Sequence, residues 1–339
     1  MRTLGRFKGW AVALCLMASG AVAQGLPGEY LITDRWRHVY SMYSGVTNPA
    51  YVNEENYISL RFAFANTLES FYMHEAGFAM PLGPYDAVGV AWIMSSATSY
   101  NFTDADGNEI GGTIADQAHF VALTYARNEW DRLTVGGNLN IIAQNIANVD
   151  GERIGNAMRS GFGVDIGLTW KLLRHQTLGN HILGLSTNNI FNKIMDTDEK
   201  YAAAVRLSLL SAWEKRIYYG ANFVLKDIFS SESNFSTENN RGGNRNKPWE
   251  FSQKLGFDVY NIFKFYALLG FSSVDGGRDY YGFAFGANMA NFFNGRDIEG
   301  MMQFVSIEGS AEASHISFYA RTEFGKHKPV LENYQTKVK

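Results

Sequence analysis

From Gly161 to Leu172, large apolar residues (Phe162, Val164, Ile166, Leu168, Trp170, Leu172) interleave with small or polar ones (Gly161, Gly163, Asp165, Gly167, Thr169, Lys171). In an extended chain the two sets project to opposite faces. The same period of two runs through Tyr281, Phe283, Phe285 and Ala287, through Leu133, Val135, Leu139 and Ile141, and through Ile217, Tyr219, Phe223 and Leu225. A soluble sandwich also alternates, but its strands average about five or six residues. Crossing hydrocarbon at a tilt takes about 9–11 residues, and these runs are of the longer kind. The small and charged set makes a poor dry core and a good wet lumen.

Such runs fall near 57–66, 71–81, 85–100, 117–127, 132–148, 159–173, 179–188, 201–213, 217–228, 251–260, 263–274, 280–291, 300–308 and 314–324. They predict an all-β protein, a transmembrane antiparallel up-and-down barrel of about fourteen strands. The second and thirteenth runs alternate poorly, so twelve or sixteen strands also fit. The connections between runs divide by length. Pro81–Pro84, Asn128–Asp131, Arg174–Leu178, Glu214–Arg216 and Asn261–Ile262 are short, whereas Asn101–Asp116, Val149–Met158, Asn189–Lys200 and Phe229–Trp249 are long. Outer-membrane barrels keep short turns on the periplasmic side and longer loops outside, which puts both termini in the periplasm. Thr67–Ser70 and Asp275–Asp279 break the contrast. Trp130, Trp213, Phe263, Phe292 and Phe293 border the predicted periplasmic turns, at a depth that amphipathic rings favour.

Ahead of the barrel the pattern changes. Arg2, Arg6 and Lys8 precede an apolar run from Trp10 to Ala23 that ends in Ala21-Val22-Ala23. This predicts a signal peptide over 1–23, too short to span a bilayer as a helix. Cys15 follows Leu14, too bulky for lipoprotein processing, and is the only cysteine, so the exported chain has neither disulfides nor thiol-ligated metal. Losing three basic and no acidic residues with the leader moves the formal net charge from −3 to about −6, no footprint for nucleic acid. Residues 24–56 carry Trp36, Tyr40, Met42, Tyr43 and Tyr51, and the one short helix candidate, Arg35–Tyr43. Too polar and irregular to span, this segment is expected to tuck into the barrel as a periplasmic hatch. Residues 57–325 form the barrel, and 326–339 a basic periplasmic tail.

Catalytic and cofactor motifs fail on inspection, and no cofactor is expected. Gly184-Leu185-Ser186-Thr187-Asn188 lacks the second glycine of a nucleophile elbow. Gly161, Gly163 and Gly167 lie on one strand face, unlike a dinucleotide fingerprint. Asp104, Asp106 and Asn108 lack the distant glutamate of a calcium loop. The seven histidines have no metal spacing; His74 and His119 are expected in the lumen or at the membrane interface. More informative are charges on the small, polar side of the strands: Arg61, Glu75, Asp165, Lys171, Arg206, Lys226, Lys254, Asp258, Arg321 and Glu323. They are candidate lumen-lining residues, either lining a polar conduit or filling the barrel as a network of ion pairs.

Several short stretches resemble the PorV/PorQ family, within the wider FadL-type barrels. They are Met42-Tyr43-Ser44-Gly45 followed by Asn48-Pro49-Ala50, the run Gly163–Trp170, Leu183-Gly184-Leu185-Ser186-Thr187-Asn188-Asn189, Lys254-Leu255-Gly256-Phe257-Asp258, and Ala267-Leu268-Leu269-Gly270-Phe271. The resemblance implies a fourteen-stranded barrel with an N-terminal segment inside. PorV-like proteins serve type IX secretion, and FadL-like relatives pass hydrophobic solutes by diffusion. Tyr43 and Ser44 stand where the family has small residues, and long outer loops that form a hydrophobic groove are missing, so no ligand residues carry over. Three functions follow as expectations: a type IX secretion component handling machinery or cargo proteins, a passive transporter of small or hydrophobic solutes, and a structural anchoring barrel. Outer-membrane lipid is the common partner of all three.

Overall fold

The alternating runs pair edge to edge until the sheet meets itself. In the computed structural model, fourteen antiparallel strands close a barrel in sequence order, β1 returning to β14. The strands are β1 (Ile58–Thr67), β2 (Phe71–Pro81), β3 (Asp86–Thr103), β4 (Glu109–Trp130), β5 (Leu133–Asn148), β6 (Ala157–His175) and β7 (Gly179–Ile194), then β8 (Ala204–Trp213), β9 (Ile217–Leu225), β10 (Trp249–Val259), β11 (Phe263–Ser272), β12 (Tyr280–Asn288), β13 (Ile298–Ile307) and β14 (Ser310–Phe324). The structure describes residues 45–55, 57–67, 71–103, 109–130, 132–148, 157–175, 179–194, 203–213, 217–225, 228, 249–259, 262–272, 280–288, 298–307 and 310–325. The predicted leader, the Arg35–Tyr43 helix, Asp104, Asp106, Asn108, Lys226, Phe292, Phe293 and the tail lie outside them.

Which face points outward is settled by exposure. On β5, Leu139 is 46% exposed while Asn138 and Asn140 on either side are at most 2%. Phe283, Phe285, Leu123, Tyr125 and Trp170 repeat the pattern, so the large apolar set forms a belt on the outside, a surface made for lipid. Closure gives every strand a neighbour on both sides, which is the condition for crossing a hydrocarbon layer. Here β1 and β14 stay in register from Ile58 opposite Phe324 to Thr67 opposite His315.

Two strands run further than their side-chain pattern. β4 begins at Glu109 rather than near 117, and β7 continues to Ile194 rather than stopping at 188. Backbone pairing with a neighbour continues past the point where alternation fades, because the ladder needs only N–H and C=O groups. β7 does so through a bulge. Ile166 faces Thr187 and Val164 faces Phe191, so Asp165 stands opposite the extra residues 188–190. Asn189 has a left-handed backbone (φ 53°), a conformation asparagine tolerates better than most residues.

Candidate functional site

The lumen holds part of the chain itself. Residues 49–54 (Pro49–Glu54) form a short 3₁₀ helix whose first five residues are buried inside the barrel. Local sequence explains the turn. Asn48 is the N-cap, its extended backbone leading in and its side-chain oxygen accepting from the Ala50 N–H at 3.0 Å. Pro49 follows at the position where a missing N–H costs nothing. We refer to residues 45–55 as the plug.

Small residues on the inner wall make its seat. A Cβ added to Gly136 on β5 would lie 2.5 Å from the Ala50 nitrogen, and one added to Gly167 on β6 would run into the Asn48 side chain. On β7, a Cβ on Gly184 would collide with the Tyr51 and Ser208 hydroxyls. Glycine alone lets the plug lie this close to the wall.

Polar contacts fix the plug on that seat. Asn48 donates to the Leu168 carbonyl at 3.1 Å, Ser186 donates to the Thr47 carbonyl at 2.9 Å, and Asn53 donates to the Tyr85 carbonyl at 2.6 Å. Tyr51 and Ser208 share a hydrogen bond of 2.6 Å between their hydroxyls, both groups buried. Asn138 donates to the Gly45 carbonyl at 2.9 Å and to the Asp165 carboxylate at 3.1 Å, while accepting from Thr124 at 2.6 Å. The other Asp165 oxygen accepts the Asn189 N–H at 2.7 Å. One carboxylate thus ties the β7 bulge to the plug through Asn138.

Charge holds the plug where β1 begins and β14 ends. Arg61 on β1 and Arg321 on β14 are direct cross-strand partners, an arrangement that repels. Glu55 lies between them, ion-paired with Arg61 and 2.7 Å from Arg321, and Arg321 also pairs with Glu323. Across the lumen, Lys171 on β6 pairs with Glu54 at 3.0 Å. The neighbouring strands β1 and β14 and the distant β6 therefore hold two adjacent carboxylates.

The sequence-derived residues separate into groups. Arg61, Lys171, Arg321 and Glu323 surround Glu54 and Glu55; Asp165 organises the bulge. Arg206 on β8 is fully buried in the wall. Lys254 lies over the Tyr266 ring, 4.4 Å from its centre, and Asp258 is buried one strand pair from Lys264, which itself bonds Glu299 at 2.7 Å. Glu75 sits on the inner face opposite Ala63. The wall charges are expected either to line a polar conduit or to pair with one another; Arg61, Lys171 and Arg321 pair with the plug. Glu54 and Glu55, their partners from the plug, escape the sequence reading, although two adjacent glutamates just ahead of Arg61 are the available signal. Ser186, the centre of the elbow-like motif, is a strut for the plug. His74 and His119 lie on the outer face.

No family model matches the chain, and no curated protein matches it in sequence. Its fold matches solved structures. The deltaS2 mutant of the TodX monoaromatic hydrocarbon channel superposes with TM-score 0.57 at 10% identity, covering 84% of this chain and 95% of that one. The structural neighbours are FadL-type outer-membrane barrels. The Ralstonia pickettii toluene transporter TbuX gives TM-score 0.52 at 10% identity over 82% of this chain and 92% of its own. A Pseudomonas aeruginosa FadL homologue gives 0.54 at 10% identity over 82% and 93%. Identities this low establish a shared fold. The neighbours are channels and transporters rather than enzymes, and the narrower likeness to PorV/PorQ rests on the sequence motifs alone.

Proposed function

We propose that this chain is an outer-membrane conduit of the FadL type, passing a small or hydrophobic solute passively through a barrel that its own N-terminal segment closes. The observation that carries the reading is the way the plug is held. Val46, Tyr51 and Val52 pack against apolar residues of the inner wall, and hydrogen bonds and ion pairs from Asn48, Asn53, Glu54 and Glu55 fix the segment on its glycine-lined seat. The barrel closes through β1 and β14 alone, so the plug can leave the lumen without opening the sheet. The names of the neighbouring structures, a monoaromatic hydrocarbon channel and a toluene transporter, support the solute class. The outer apolar belt and the barrel's closure support the outer membrane as its location. The type IX secretion reading is the alternative, and it draws on the PorV/PorQ-like motifs.

The test is flux into liposomes holding the leader-free protein. Toluene and a small polar sugar are the two probes, and the proteins compared are the intact chain and one lacking residues 24–56. The conduit reading expects flux through the intact protein to rise several-fold on removing the segment. Equal, background-level flux of both probes in both proteins would sink it, and a secreted protein that copurifies with the barrel would then favour the alternative.

A further inference from the structure

The outer belt is not uniform. Where β1, β2, β3 and β14 meet, the lipid-facing surface sinks into a groove of about 430 Å³, a volume within the range of small-ligand sites. Its floor is low because Ala76 and Ala320 flank Phe62 on the two neighbouring strands. Its sides are Phe64, Phe318 and Trp92. Trp92 is held upright, its ring stacked on His119 at 6.0 Å and its Nε1–H donating to the His119 Nδ1 at 3.3 Å. The groove therefore has a fixed wall.

Into this apolar recess projects a polar ring. His74 stands on the outer face of β2, 5.0 Å from the Phe64 ring, and makes no hydrogen bond among the described residues. Its depth is defined by the row beside it. Asn66, Tyr72, Ser96 and Gln117 are successive cross-strand partners immediately beyond the Phe64–His74 row, and they end the apolar belt on β1–β4. His74 thus lies at the boundary between hydrocarbon and headgroups, with the groove beneath it on the hydrocarbon side.

We propose that this groove binds one phosphate-bearing membrane lipid, its acyl chain against Phe62, Phe64 and Phe318 over the alanine floor, and its phosphate accepting a hydrogen bond from the His74 ring. Because the recess opens into the bilayer rather than into the lumen, its occupant comes from the bilayer. An alkyl chain matches the outward-facing lining; Glu75 and Tyr319, which also border the recess, stand at inward-facing positions opposite Ala63. An imidazole presents an N–H donor in either protonation state, which suits a phosphate oxygen at that depth. The ring has no hydrogen-bond partner among the described residues, and a headgroup at this depth supplies one. The inference does not depend on solute transport.

The test uses the full leader-free protein reconstituted in vesicles of equal parts phosphatidylglycerol and uncharged diacylglycerol. The protein is then released into detergent, and its retained lipid is read by native mass spectrometry. The wild type is expected to keep one phosphatidylglycerol. Ala76→Trp, which fills the floor, is expected to cut retention at least tenfold. Ala320→Trp does the same from another strand and takes its place should the first variant fail to form a barrel. His74→Phe is expected to keep a lipid but to lose the preference for phosphatidylglycerol over diacylglycerol. Absence of retained lipid in the wild type, equal retention in both tryptophan variants, or an unchanged preference in His74→Phe would each overturn the proposal.

Discussion

Glu55 relieves a repulsion that the barrel builds into itself. Arg61 and Arg321 face each other across the β1–β14 pair, and the Glu55 carboxylate, 3% exposed, sits between them. Replacing it by Gln keeps the shape but leaves two guanidinium groups opposed. Breaking a buried pair by removing one partner costs about 3–5 kcal/mol. Because the Arg321 side chain keeps roughly a quarter of its exposure and also has Glu323, the lower end applies. Glu55→Gln is therefore expected to lower the unfolding free energy by about 3 kcal/mol, measured by urea titration of the refolded barrel. Tyr51→Phe is a milder probe. It leaves the buried Ser208 hydroxyl without its partner and is expected to cost about 1–2 kcal/mol in the same titration.

At the scale of the element, the inner face of β5 and β6 explains glycines that a strand would otherwise avoid, since glycine weakens strands and packs nothing. Gly136 and Gly137 are neighbours with opposite tasks. A Cβ at Gly136 meets the plug backbone at 2.5 Å, whereas one at Gly137 finds its nearest neighbour, the Asp165 carbonyl, at an ordinary 3.6 Å. Gly136→Ala is thus expected to lift the plug and raise single-channel conductance in a planar bilayer, while Gly137→Ala leaves conductance unchanged. Equal effects would show that the seat does not govern closure. Alternation left Gly137 on the apolar face and made Gly136 and Gly167 legible as inward and small. It gave no sign of what they make room for, because a seat is defined by the object that occupies it.

For the whole molecule, orientation follows from the ends of the strands. β2–β3, β4–β5 and β6–β7 are joined by few residues at the end that carries the β14 terminus, whereas β9 and β10 are joined at the opposite end by everything from 226 to 248. An epitope inserted in that connection is expected to bind antibody on intact cells, and one placed after Lys339 only after the outer membrane is permeabilised. The reverse result would invert the barrel. The charges on the inner wall were legible residue by residue, but their grouping was not. Lys171 and Arg321 are 150 positions apart in the chain, yet both serve adjacent glutamates.

The sequence by itself determined what each residue could know locally. A period of two fixed strands and their two faces, run length set them against hydrocarbon, and connection lengths ordered them into an up-and-down barrel. These properties depend on neighbours along the chain, and alternation records them directly. Only the tertiary structure decided the register in which β1 meets β14, which wall residues hold Asn48, Tyr51, Glu54 and Glu55 of the segment expected in the lumen, that β7 bulges around Asp165, and that two alanines on separate strands open a groove on the outer belt. Each of these depends on the register and closure of distant strands. A shift of one residue in pairing would turn the inward set to lipid and erase every such contact, so no local pattern could record them.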